Sequence, residues 1–159
     1  MKCLSEVARI LIVDDDESIR KALAAVLEES GYIVDTAQNG REAIEKCDTN
    51  FYNLALLDIR LPDTEGTKLL NAMKQNTPRM VKIIVTGYPS LSNAVEAVNQ
   101  GADAYLLKPL VMSDVLRTIK EHLAKQREAK KYSEEKVAEF IESRARELEV
   151  GASLGKKAR

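Results

Sequence analysis

Five polar side chains stand where apolar runs of strand length give out: Asp14 and Asp15 after Ile10–Val13, Asp58 after Leu54–Leu57, Thr86 after Val81–Val85, and Lys108 after Ala104–Leu107. Three carboxylates brought together repel one another, so either one is protonated or a cation holds them. With no His or Cys in the set, the donors are hard oxygens, and they point to Mg²⁺ (or Mn²⁺), which keeps several waters and takes few protein carboxylates. A Lys ammonium and a Thr hydroxyl suit a phosphoryl group, as point charge and hydrogen-bond donor. A carboxylate beside a metal and a Lys can act as a nucleophile toward phosphorus, with catalysis reduced to positioning and charge neutralisation. The chemistry these residue types describe is a self-phosphorylating aspartate, Asp58, in a Mg²⁺ pocket. Taken singly each residue has a plainer use. An Asp triplet commonly caps a helix, and Asp16 fits that role, leaving Asp14 and Asp15 as the functional pair.

Elements must deliver these residues to one place. Ala8–Val13 reads as a buried strand. Ile19, Ala22, Leu23, Val26 and Leu27 then form one helical face, closed by Gly31 as a left-handed cap. Tyr32–Ala37 is a shorter strand, and Asn39-Gly40 turns into a helix carrying Ala43, Ile44 and Cys47. Leu54–Leu57 is the third strand. Gly66 is placed in a loop, with Leu69, Leu70 and Met73 marking a third helix that Thr77-Pro78 ends. Val81–Val85 is the fourth strand, and Leu91, Ala94, Val95 and Val98 give a fourth helix ending at Gly101. Ala104–Leu107 and the helix of Met112, Val115, Leu116, Ile119 and Leu123 complete five strand–helix alternations. The expected fold is α/β, a doubly wound five-stranded parallel sheet with right-handed crossovers and helices on both faces. Its strands are continuous apolar runs because both faces are covered. Ligands in such sheets sit outside the carboxyl ends of the strands, which is where the five polar residues fall.

Composition narrows the function classes. The 159 residues are 45% hydrophobic and 31% charged, enough for a full core and a well-solvated surface, and the formal net charge is -1, which gives no general attraction to nucleic acid or an acidic membrane. With no Trp and two Phe there is no stacking surface for single-stranded nucleic acid. Cys3 and Cys47 match no metal or redox spacing and read as reduced thiols. The charges of Glu6 and Arg9 come too early for a signal peptide, and no apolar run approaches a membrane span, so the expected location is the cytoplasm.

The stretches Ile12-Val13-Asp14-Asp15-Asp16, Leu57-Asp58-Ile59-Arg60-Leu61-Pro62 with Gly66, Thr86-Gly87 and Tyr105-Leu106-Leu107-Lys108-Pro109 together resemble the response-regulator receiver domains of two-component signalling. The resemblance covers roughly residues 8 to 125, and four motifs in this order at the right strand ends are specific where each alone is weak. It implies the flavodoxin-like (βα)5 fold and a Mg²⁺-dependent transfer to Asp58 from a histidine kinase or phosphotransfer protein. It also implies that Asp15, Asp58 and the main-chain carbonyl of Arg60 bind the metal, with Asp14 assisting through a water. Lys108 would contact the phosphoryl group, Thr86 would move to hydrogen-bond it, and Tyr105 would change rotamer behind Thr86. That switch would remodel the surface of the fourth helix, fifth strand and fifth helix, and Lys108-Pro109 would be cis. Arg60 and Tyr88 are expected to shield the aspartyl phosphate from water; faster dephosphorylation of Arg60→Ala and Tyr88→Ala variants is the measure. His122 reads as a solvated residue and not as a phosphotransfer histidine.

The receiver is assigned to residues 1–125. Residues 126–159 read as a charged helical tail with no output domain, too short for a core of its own. Ser133 is the expected N-cap of a short helix with an apolar stripe of Val137, Phe140, Ile141 and Leu148, ended at Val150-Gly151 and followed by a disordered basic end. Either the fifth helix continues through this tail or the tail is an interaction helix; its stripe is too interrupted for a coiled coil. The first functional reading is a phospho-acceptor switch, not an enzyme, that signals through protein contacts, with a homodimer or a downstream protein as partner. The alternatives are a receiver fragment of a longer transcription regulator and a phosphorylation-independent scaffold. A small-molecule phosphatase of the aspartate-nucleophile type would need a second acid two residues after Asp58, where Arg60 stands.

Overall fold

The computed structural model describes residues 7–73, 79–87 and 90–157. Ten elements alternate along the chain. They are β1 (Arg9–Val13), α1 (Glu17–Glu29), β2 (Ile33–Ala37), α2 (Gly40–Thr49), β3 (Leu54–Asp58), α3 (Gly66–Ala72), β4 (Val81–Thr86), α4 (Leu91–Asn99), β5 (Ala104–Leu107) and α5 (Met112–Lys157). The five strands form one sheet in the order β2-β1-β3-β4-β5, and every pairing is parallel. The expected sheet is therefore the observed one.

Local chemistry sets the helix starts. The Asp16 carboxylate accepts from the Ser18 and Ile19 amides at the head of α1, Asn39 accepts from Glu42 at α2, and Ser90 accepts from Asn93 at α4. Gly31 and Gly101 follow α1 and α4 at φ values of 95° and 98°, the left-handed conformation that glycine takes without a Cβ clash. Gly66 opens α3 and does not lie in the preceding loop as expected. Thr77 and Pro78, the expected end of that helix, lie outside the described residues.

Alternate residues of the central strands feed two cores. Ile10, Ile12, Leu54, Leu56, Ile83 and Val85 pack with Leu23 and Leu27 of α1 and with Val115, Ile119 and Leu123 of α5. Leu11, Val13, Ala55, Leu57 and Ile84 pack with Ala43 of α2, Leu69 and Leu70 of α3 and Ala97 of α4. The stripe predicted for α5 is thus a core stripe; in α1 Ile19, Leu23 and Leu27 pack as predicted, while Ala22 is exposed and Ala24 packs on the core. The stripe of α4 is not: Leu91, Val95 and Val98 are 81%, 50% and 65% exposed, and Ala97 is the residue that α4 buries.

Two compact units divide the chain, Met1–Ala124 and Lys125–Arg159. Within the second, α5 continues without a break, so Ser133 lies inside a helix and is not an N-cap, and the helix runs past Gly151 to Lys157. The physical reason lies in the side chains. Strong helix formers fill the segment, and pairs such as Lys130–Glu134, Lys136–Glu139 and Arg144–Glu147 link successive turns. Tyr132, Val137, Phe140, Ile141, Leu148 and Val150 are exposed along it.

Candidate functional site

The parallel register brings the strand ends together. Val13 pairs with Leu57, Asp58 with Val85, and Thr86 with Leu107. Asp14, Asp15, Asp58, Thr86 and Lys108 therefore share one edge of the sheet. Carboxylate oxygens of Asp14, Asp15 and Asp58 all lie within 4.8 Å of one another. Asp14 and Asp58 are buried, Thr86 is fully buried and Asp15 is exposed.

Lys108 lies between two of the acids. Its Nζ donates to Asp14 Oδ2 at 2.9 Å and to Asp58 Oδ2 at 3.2 Å. The Lys108-Pro109 peptide is cis, and the Lys108 amide donates to the Thr86 carbonyl at 2.8 Å. Burial works against the Lys108 ammonium, but its hydrogen bond to Asp14 and the charges of Asp14 and Asp58 outweigh that and hold its pKa above the ordinary value. Burial pushes the Asp58 carboxyl above the usual carboxylate range; the Lys108 charge opposes the shift and Asp14 adds to it. A buried carboxylate with a raised pKa beside two further acids and a Lys is the pattern of a site built to receive a cation and an anion together. All three acids offer oxygen donors and the described cluster contains no His or Cys, so the residues fit Mg²⁺.

The main chain around the acids is fixed from several sides. The Asp14 amide donates to the Ala37 carbonyl, Asp14 Oδ1 accepts from the Asp16 amide, and the Asp14 carbonyl accepts from Arg20 at 2.6 Å. Arg60 donates its amide to Asp58 Oδ1 at 3.3 Å. At Gly66 a Cβ would drive into the Asp58 carbonyl, and the Gly66 amide donates to the Ile59 carbonyl at 2.6 Å. Only glycine permits this approach.

Tyr105 packs against the core cluster of α2, α3 and α4. Its hydroxyl is buried with no hydrogen-bond partner among the described residues, and burial raises its pKa. A Tyr held this way has no polar contact to give up if its ring turns. Tyr88 lies outside the described residues. His122 is half-buried rather than fully solvated. Burial raises the Cys47 thiol to about 11, with the Asp48 charge adding to it, so this thiol is inert at neutral pH.

Sequence reasoning missed Arg20 and Asp63. Arg20 stands on α1 with no spacing signal to tie it to the Asp14 main chain. Asp63 follows Pro62 in the loop after β3, and its carboxylate accepts from the Gly40 and Arg41 amides at 2.8 and 2.9 Å. A charged residue in a tight loop opposite an Asn-Gly helix start is the signal available for such a contact.

Known proteins share this sequence pattern and fold. The family described as the response regulator receiver domain matches residues 10–120. The chain is 41% identical over 118 residues to the transcriptional regulatory protein ZraR of Klebsiella oxytoca, covering 74% of this chain and 27% of that protein. It is 32% identical over 118 residues to the response regulator ArlR of Staphylococcus saprophyticus, covering 74% of this chain and 53% of that protein. The chain thus spans about a quarter of the length of its ZraR relatives. Among solved structures, a CheY-like receiver domain protein of Methanospirillum hungatei shares 48% identity at a TM-score of 0.76, covering 78% of this chain and 99% of that one. The beryllofluoride-activated NtrC4 receiver domain dimer shares 41% at 0.70, covering 74% and 98%. With the strand-end acids, the Lys and the fold in place, the chain belongs to the response regulator receiver family of two-component signal transduction.

Proposed function

We propose that this receiver accepts a phosphoryl group on Asp58 from the phosphohistidine of a histidine kinase or phosphotransfer protein. An Asp58 carboxylate oxygen forms its bond to phosphorus as the bond from phosphorus to the donor nitrogen breaks. Asp14, Asp15, Asp58 and the Arg60 carbonyl would hold Mg²⁺ (or Mn²⁺), which supplies neutralising charge to the transferred group. Lys108 exchanges its contact with Asp58 for one with a phosphoryl oxygen, and the Thr86 hydroxyl donates to another. Tyr105 then turns toward the space Thr86 leaves. The chain acts as acceptor and self-dephosphorylating switch, not as an enzyme on a separate substrate. The observation that carries this reading is the Lys108 ammonium within hydrogen-bond distance of both Asp14 and Asp58 at adjoining strand ends.

The output surface follows from the same fold. Leu91, Val95 and Val98 of α4, Leu107 of β5 and Val111 before α5 are exposed apolar residues. We infer that phosphorylation changes the contacts of this surface, with a second receiver or a downstream protein as partner. The activated NtrC4 receiver is a dimer, which supports the first of these. Because the chain spans only part of its relatives, the receiver of a longer transcription regulator is a second reading that its ZraR similarity favours. No helix among the described residues is long and apolar enough to cross a membrane, in keeping with a proposed cytoplasmic site of action.

Incubation with Mg²⁺ and acetyl phosphate tests the proposal. A mass increase of one phosphoryl group is expected in the parent and not in Asp58→Asn. A parent that gains no phosphoryl group refutes it. Size-exclusion chromatography of the same samples separates self-association from partner signalling.

A further inference from the structure

Of the three acids, Asp15 is the one no other side chain holds. The Asp14 carboxylate accepts from the Asp16 amide and from Lys108. The Asp58 carboxylate accepts from Lys108 and the Arg60 amide. The Asp15 carboxylate is exposed and has no hydrogen-bond partner among the described residues. Its direction is therefore set by the main chain around it. The Asp16 amide donates to Asp14 Oδ1 at 2.9 Å, so a side chain closes a turn across Asp14 and Asp15. That bond leaves one freedom open. Turns of types I and II keep the same closing hydrogen bond and differ by a flip of their central peptide. Here the central peptide is the one that joins Asp14 to Asp15. Flipping it would take Asp15 to positive φ and re-aim its Cβ. Asp is one of the few residue types that visits this region, yet no described non-glycine residue has a positive φ.

The Arg20 side chain grips this peptide. Its Nη1 donates to the Asp14 carbonyl, the oxygen of the Asp14–Asp15 peptide, at 2.6 Å. The Arg20 amide donates to the Asp16 carbonyl at 3.0 Å, which fixes the base of the side chain in the first turn of α1. Only one planar unit separates the gripped oxygen from the Asp15 Cα. We propose that Arg20 is a positioning residue for Asp15. By fixing the orientation of the Asp14–Asp15 peptide, it keeps the Asp15 carboxylate in the cluster where oxygens of Asp14, Asp15 and Asp58 lie within 4.8 Å of one another. The inference rests on the Mg²⁺-dependent phospho-acceptor reading above. A ligand aimed in advance loses little freedom when the cation binds. Groups that orient metal ligands commonly change metal affinity strongly when removed. The Arg20 charge alone would act in the opposite sense, because a guanidinium repels a cation.

That difference in sign makes the test decisive. Mg²⁺ affinity of the full chain is measured calorimetrically with no phosphoryl donor present. Amide NMR spectra of the metal-free chain and adduct formation with acetyl phosphate accompany it. Arg20→Ala is expected to weaken Mg²⁺ binding by about tenfold and to broaden the Asp15 amide signal by exchange between two peptide orientations. Arg20→Lys, which keeps the charge and a donor, recovers part of the affinity. Lys21→Ala removes the next cation of α1, paired with Glu17 on the surface, and leaves affinity and the Asp15 signal at the parental values. Arg20→Gln is read in the same way should Arg20→Ala not fold. Unchanged or tighter Mg²⁺ binding in Arg20→Ala overturns the positioning role, the tighter result marking Arg20 as a charge only. Weaker binding beside an Asp15 signal like the parent's overturns it too, as does an equal loss in Lys21→Ala. A parent that neither binds Mg²⁺ nor forms the adduct overturns the functional reading along with it.

Discussion

At Asp58 the metal-free protein carries an unfavourable charge. Its raised pKa means that the native state holds the proton more tightly than the unfolded chain does. Between the ordinary carboxylate value and the raised one, folding takes up a proton, so stability falls as pH rises through that window and is level above it. Asp58→Asn removes this unfavourable ionisation while Asp14 continues to hold Lys108. Its Tm at neutral pH without divalent cation is expected to exceed the parent's. The difference should shrink as pH is lowered into the acid range; thermal melts at several pH values check it, and a lower Tm for Asp58→Asn at neutral pH would contradict the account. The identity of these residues was legible in sequence because each polar type follows an apolar run. The contacts of Arg20 with the Asp14 carbonyl and of Asp63 with α2 were not. Neither partner lies at a spacing that local periodicity reports, and each contact forms only when two elements meet.

Among the elements, β1, β3 and β4 were legible because continuous apolar strands buried on both faces have no other stable use. α4 and α5 show where local pattern falls short. The α4 stripe has the spacing of a core face, yet its large residues are exposed and Ala97 does the packing. Periodicity reports that a helix has an apolar face, not what covers it. In α5, Ser133 followed by Glu134 and Glu135 has the composition of a helix start, but the helix passes through it. A cap forms only where the preceding backbone leaves the helical region, and nothing before Ser133 forces that. Ser133→Pro discriminates the two situations. Within a continuous helix a proline costs about 3 kcal/mol, so the circular dichroism signal at the helical band should drop. An unchanged signal would place a helix boundary at this position.

For the molecule as a whole, the exposed apolar residues of α4, β5 and the turn before α5 lie far in sequence from the strand-end acids, and the proposed function gives them a separate role. A charge on this surface should separate the two functions. Val95→Glu changes a half-exposed side chain and is expected to shift stability by no more than about 0.5 kcal/mol. It should leave acetyl phosphate labelling of Asp58 intact while abolishing any phosphorylation-dependent self-association seen by light scattering; self-association equal to the parent's would remove α4 from the interface. By itself the sequence determined the five alternations, the sheet class and the five strand-end residues. Those follow from apolar run length and residue chemistry, which are properties of each segment alone. Only the tertiary structure decided that Lys108 reaches both Asp14 and Asp58, that Asp63 holds α2, that the α4 stripe faces outward and that α5 is unbroken. Those depend on which elements become neighbours, and the parallel register that sets the neighbours is a property of the folded sheet.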